Sequence, residues 1–258
     1  MLLLLSFRSL FAQDVDIPPD MALIPAGAFW MGSNRGDLNE SPLRKVFLSA
    51  YAMDRLEVTQ KAYQTFADST RRKIPEIARD PRFQGDDRPV VGVTWEEAEG
   101  FCKWAGKRLP TEAEWEKAAR GDDGRTYPWG EEMPRMERLN FADSVKTTTS
   151  VAHHPEGASP YGVQDMAGNV GEWVRDWYDA SYRSEGIERD PKGPPTGRMK
   201  VVRGGGWKSQ AFFVRISARV PQKPSERSEA IGFRCAWTPV VGTEKPTTPE
   251  DPEGAKGK

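Results

Sequence analysis

Cysteine is nearly absent from this chain: Cys102 and Cys235 are the two among 258 residues. Covalent bracing is therefore limited to one disulfide, Cys102 with Cys235, if the protein is exported, and two buried thiols are the alternative in a reducing compartment. Histidine is equally scarce, with His153 and His154 adjacent. That excludes a site needing three imidazoles, and neighbours in an extended loop point apart, so they make a poor ligand pair. There is no excess of either charge, 37 basic residues against 38 acidic, which gives no support to a nucleic-acid or membrane-surface partner held by bulk charge. No run of about 18 apolar residues exists, so no conventional transmembrane helix is expected. The glycine run Gly204-Gly205-Gly206 is followed by Trp207 rather than by the Lys-Ser/Thr and helix of a phosphate-binding loop. Close backbone packing is its more economical role. No internal repeat is evident.

What the chain has is tryptophan, glycine and proline, at 9, 24 and 21 residues. Such counts suit a loop-rich fold pinned by aromatic anchors and argue against a helical bundle. Residues 1–13 resemble part of a secretory signal, with a short apolar run ahead of Asp14, although Arg8 interrupts it and a basic start is missing. Residues 14–20 form a lead-in, residues 21–237 a single domain, and residues 238–258 a Pro/Thr/Glu tail expected to be disordered. Within the domain, Met21 to Gly32 reads as strand and turn, and Val46 to Met53 as a second strand. A helix is expected from about Gln60 to Ala67 with Thr59 as its cap, followed by an irregular loop over 69–89. Thr94-Trp95-Glu96-Glu97 and Thr111-Glu112-Ala113-Glu114 are capping boxes that open two further helices, the first ended by Gly106 and the second running to about Arg120. Residues 121–200 show almost no helical period, and so long an irregular stretch calls for bound metal ions or buried tryptophans to hold it.

Several blocks carry a resemblance in order. They are Ile24-Pro25-Ala26-Gly27 with Met31-Gly32, Glu57-Val58-Thr59, Pro89-Val90 with Val93-Thr94-Trp95, the run Gly106 to Glu116, and Tyr127-Pro128-Trp129-Gly130. Tyr161 to Trp173, Val202 to Ser209 and Ile231-Gly232-Phe233-Arg234-Cys235 complete the set. Together they resemble the formylglycine-generating enzyme family, or sulfatase-modifying factors. The resemblance implies an α+β domain, a variant of the C-type-lectin-like fold with little regular secondary structure and calcium in its loops. It also favours the disulfide, because some members join the positions of Cys102 and Cys235.

The same resemblance implies metal ligands. Asp165 and Glu172 would bind calcium through side chains, and Gly168 and Val170 through backbone oxygens, an all-oxygen set that suits a hard cation. A second site would start at Asn140 and Phe141, with Asp143 as the nearest carboxylate in a shortened loop. Turn capping by these residues is the plain alternative. The enzymes also hold copper on two cysteines, and the matching positions here are Ser209 and Val214, neither of which can ligate Cu(I). Three more positions depart from the enzymes: Gly206 for a serine, Gly171 for a tryptophan and Ala230 for an asparagine. Copper and cysteine oxidation are therefore not expected, and no catalytic residue is assigned. Cys102 and Cys235 match structural positions and lack the marks of reactive thiols.

The reading that follows is an exported protein (periplasmic, cell-envelope or secreted) with calcium as cofactor and a protein or peptide partner. Trp207, Phe212, Phe213 and Arg215 would line its binding groove, unless those aromatics are core. The alternatives are a formylglycine-generating oxidase with displaced ligands, and a structural subunit of a cell-envelope complex tethered by the tail.

Overall fold

In the computed structural model, residues 17–182 and 188–239 are described. The signal-like segment and the tail from residue 240 onward lie outside them. Strands β1 (Met21–Ile24) and β2 (Gly27–Met31) open the domain. Strands β3 (Arg44–Leu48) and β4 (Tyr51–Asp54) follow. The expected single strand from Val46 to Met53 is thus two strands in two sheets. The sequence parity explains it: Val46 and Leu48 face the core on one phase and Tyr51 and Met53 on the other. At the break, Ser49 N and Oγ donate to the Asp190 carboxylate, which takes them out of the ladder.

Helix α1 (Gln60–Thr70) runs one turn beyond the expected end, with Thr59 Oγ1 accepting from Ala62 N. Helices α2 (Trp95–Trp104) and α3 (Glu112–Arg120) both start on complete capping boxes, at Thr94/Glu97 and Thr111/Glu114. The loop over 71–89 is less irregular than expected. It contains 3-10 turns at Ile77–Arg79 and Pro81–Phe83 and buries Phe83, whose ring packs on Trp207 at 6.2 Å.

The remaining strands are β5 (Gly171–Trp177), β6 (Glu188–Arg189), β7 (Lys200–Arg203), β8 (Val220–Gln222), β9 (Ile231–Gly232) and β10 (Ala236–Trp237). They build three small sheets among the described residues, in orders β1-β4-β10, β2-β3-β6 and β8-β7-β5-β9. Helix α3 packs on β2, β3, β5 and β7, so it sits where two sheets meet. Trp115 on its inner face is fully buried. On the other side, Tyr63, Phe66, Phe101 and Phe233 form an aromatic cluster with ring centroids 5.4–6.4 Å apart.

Cys102 on α2 and Cys235 beside β10 are joined in a disulfide, Cα–Cα 5.7 Å, across 133 residues of sequence. In a chain-entropy account, closing so long a loop is worth about 5 kcal/mol at most. The bond ties the C-terminal strands to the helical layer, and it leaves no free cysteine.

Candidate functional site

Two features of the sequence converge in space, the loop from Asp165 to Glu172 and the glycine turn from Gly204 to Ser209. Asp165 and Asn169 both adopt left-handed backbone, φ 56° each, and Gly168 lies between them at φ 80°. Asp165 Oδ2 accepts from Ala152 N at 2.8 Å. Asn169 Nδ2 donates to Glu57 Oε2 at 2.7 Å while Asn169 Oδ1 accepts from Thr149 N at 2.9 Å. Glu172 is gripped by Arg234, whose Nη2 donates to Oε1 at 2.6 Å, and Trp115 Nε1 donates to Oε2 at 2.8 Å.

Glu57, Asp165, Glu172 and Arg234 are all buried. Burial first, and then the Asp165 and Glu172 charges, push the Glu57 carboxyl well above its usual range. Burial likewise raises Asp165, and Arg234 opposes the rise. Three acids thus face one guanidinium in a dry interior, an imbalance relieved by protons or by a bound cation.

The sequence reading singled out Asp165 and Glu172 but gave no site role to Glu57 or Arg234. Their only signal was membership of the Glu57-Val58-Thr59 and Gly-Phe-Arg-Cys blocks.

The second loop joins the first through its backbone, since Asn169 N donates to the Asn140 carbonyl at 2.8 Å. Asn140 Nδ2 donates to Thr147 O, but its buried Oδ1 has no partner. Ala142, Asp143 and Lys146 are left-handed. Asp143 is exposed and Phe141 half-buried. Among the described residues no three His, Cys, Asp or Glu side chains are grouped to hold a metal. A cation here would therefore draw mainly on amide and backbone carbonyls, as calcium accepts. The orphaned Asn140 Oδ1 is the donor that fits that ion.

The glycine turn is closely packed. Gly206 N donates to Ser209 Oγ at 3.0 Å, so the serine hydroxyl closes the turn. A Cβ on Gly206 would stand 2.6 Å from the Ala230 carbonyl oxygen, and one on Gly171 would stand 2.8 Å from Val202 Cγ1. Gly171 N donates to that same Ala230 carbonyl. The three positions that depart from the enzymes therefore lie against one another, with Ser209 beside them, and at Gly171 and Gly206 there is no room for a side chain without a shift of the neighbours. Val214 is fully buried. With both cysteines in the disulfide, no thiolate is available here as a copper(I) ligand.

The expected groove divides into interior and surface. Trp207 is buried against Phe83, and its Nε1 donates to Glu229 O. Arg215 is buried, with Nη2 2.7 Å from Glu40 Oε1. Phe212 and Phe213 are 45% and 44% exposed, edge to face at 5.4 Å, with the Arg215 guanidinium 4.0 Å from the Phe212 ring. The adjacent histidines follow Ala152, whose N donates to Asp165 Oδ2. Their rings meet at 4.8 Å instead of pointing apart, with His153 exposed and His154 buried.

Residues 6–239 match the sulfatase-modifying factor enzyme 1-like domain. The chain is 38% identical over 237 residues to a serine/threonine-protein kinase pkn1 of Chlamydia pneumoniae, covering 84% of this chain and 38% of that protein. It thus spans less than half the length of the kinases it matches. It is 32% identical over 292 residues to a formylglycine-generating enzyme of Thermomonospora curvata, covering 87% of this chain and 95% of the enzyme. PvdO from Pseudomonas aeruginosa has a similar structure, with a TM-score of 0.74, 28% identity, and coverage of 84% and 93% of the two chains.

Proposed function

We propose that this chain, which belongs to the sulfatase-modifying factor enzyme 1-like family, is an exported, calcium-braced binding domain that does not oxidise cysteine. The observation that carries the reading is the packed knot of Gly171, Gly206, Ala230 and Ser209 in a chain with no free thiol. Copper(I) chemistry on a peptide cysteine needs thiolate ligands and space for oxygen and substrate. Here the ligand positions carry a hydroxyl already used by Gly206 N and a buried valine. The part of the expected groove that remains accessible is the Phe212–Phe213 pair, held rigid by Arg215 and Glu40 below it. Exposed aromatics on an ordered base suit an apolar segment of a protein or peptide partner. In the kinases matched above, the similar region is 38% of the length, which fits a domain that serves a larger assembly. Export is supported by the signal-like start and by the disulfide.

The likeness to a formylglycine-generating enzyme makes cysteine oxidation the competing reading. Purified, calcium-loaded protein should show no stoichiometric Cu(I) binding against a competing chelator. It should also leave the cysteine of a Cys-x-Pro-x-Arg peptide unconverted. Tight one-to-one copper with formylglycine formation would overturn the proposal.

Calcium is expected at the two loops, with Asn140, Asp165 and the carbonyls of Gly168 and Val170 as donors. Bound there, it would supply charge balance and hold the loops. Adding calcium to chelator-treated protein should raise Tm, and at roughly a hundredfold excess over Kd the gain is about 2.7 kcal/mol. Asn140→Ala should blunt that response. A Tm unmoved by calcium would remove the ion from the proposal.

A further inference from the structure

Outside this site lies a cavity of about 350 Å³, whose lining includes Thr111 and Glu114 at the start of α3. Its walls come from five separate segments and are cross-tied. The turn between β3 and β4 is fastened to Asp190 through Ser49, and Asp190 N donates to Phe47 O. Arg175 N on β5 donates to Pro110 O ahead of α3. The cavity is therefore a product of tertiary structure, preformed rather than a gap between loose loops.

Its charges are unevenly matched. Arg108 lines the wall but is taken by Glu114 through two 2.6 Å hydrogen bonds, so that pair cancels. The Asp190 carboxylate accepts from Ser49 N and Oγ. Arg175 and Lys192, both exposed at the rim, have no ion-pair partner among the described residues. The balance is one positive charge over, with Asp190 and the Thr111 hydroxyl as polar groups and Leu48 and Pro191 as apolar surface. A ligand that satisfies this wall carries one acid group for the two cations and hydroxyls for the acid and alcohol side chains. Its size is bounded by a volume near the lower end for small-molecule pockets.

We propose that this cavity binds a small hydroxylated organic anion, of the size of an acidic monosaccharide, through Arg175 and Lys192. The site is independent of the calcium loops and of the aromatic pair, and it holds whether or not the chain oxidises cysteine.

The test is calorimetric titration of the full chain with glucuronate, glucose 6-phosphate and glucose 6-sulfate, with neutral glucose as control. At least one of the acidic sugars should bind saturably and more weakly as salt rises, while glucose does not bind. The three probes tell carboxylate, phosphate and sulfate apart. Arg175→Ala with Lys192→Ala should weaken binding roughly tenfold, the effect of deleting two partly exposed charge contacts. The thermal melt of that variant should be unchanged, because both side chains are exposed. Saturable binding by none of the acidic sugars, equal binding of glucose, or full affinity in the double variant would each overturn the proposal.

Discussion

Replacing Arg234 with methionine is expected to lower the unfolding free energy by about 4 kcal/mol, the scale for breaking a buried ion pair from one side. Arg234 is fully buried, and its guanidinium does more than neutralise Glu172. Nη1 donates to the carbonyls of Asp54 and Arg55 and Nη2 to that of Gln164, which fastens the Asp165–Glu172 loop to β4. Methionine fills the space but leaves three carbonyls without that donor and three buried acids without a cation. The same loop supports the glycine turn, since Gly168 N donates to Gly204 O and Trp207 N to Asn169 O. Loss of Arg234 should therefore also loosen the base under Phe212 and Phe213. Denaturant unfolding measures the first effect. Glu172→Gln should be milder, because its amide oxygen can still accept from Trp115 and one of the crowded charges is gone. An Arg234→Met protein within 1 kcal/mol of wild type, on the scale of an ordinary surface change, would show that the guanidinium is not the keystone of the loop.

Helix starts were the most legible part of the sequence, because a capping box is a local pattern and its hydrogen bonds form within four residues. Thr94 with Glu97 and Thr111 with Glu114 close as their spacing requires. The break between β3 and β4 was present only as a slip of one residue in the alternation of Val46, Leu48, Tyr51 and Met53, which a count of apolar residues passes over. The disulfide followed from arithmetic and from the family resemblance, and the bond is there. The partnership of Glu57 with Asn169 and of Glu172 with Arg234 had no local signal. Each joins residues far apart in sequence, and neither periodicity nor composition reports which distant acid a buried arginine will meet. Trp207 and Arg215 illustrate the converse. Residue type suggested a groove wall, but their neighbours Phe83 and Glu40 take them into the interior. The cavity at Arg175 draws on five segments at once, so it became visible only with the fold.

Asp176→Asn is expected to stabilise the protein at neutral pH by up to about 4 kcal/mol and to do nothing at low pH. Asp176 on β5 is buried with its Oδ2 accepting from Glu112 N, at the start of α3, at 2.8 Å. Glu112 beside it is kept ionised by Arg203 and Arg219, which donate to its carboxylate at 2.6–2.9 Å. Glu114 adds to the repulsion, while Arg219 and Lys200 oppose it. Burial, and after it the Glu112 charge, raise the Asp176 carboxyl to about 7 from an ordinary 3.8. Between those values the folded protein holds a proton that the unfolded chain has released. Stability from this group is thus complete below about pH 4, declines as pH rises, and is gone above about pH 7. Asparagine offers the same acceptor to Glu112 N and never ionises, so its curve should lack this decline. Lys200, lowered by burial to about 8, acts with the opposite slope at higher pH. The comparison therefore belongs below that value, in guanidinium unfolding of both proteins at about pH 5 and about pH 7.5. The wild type should lose stability relative to the variant across that interval. Parallel changes in the two proteins would mean that Asp176 ionises in the folded state near the ordinary carboxylate range, with water or relaxation at the α3 terminus meeting the charge.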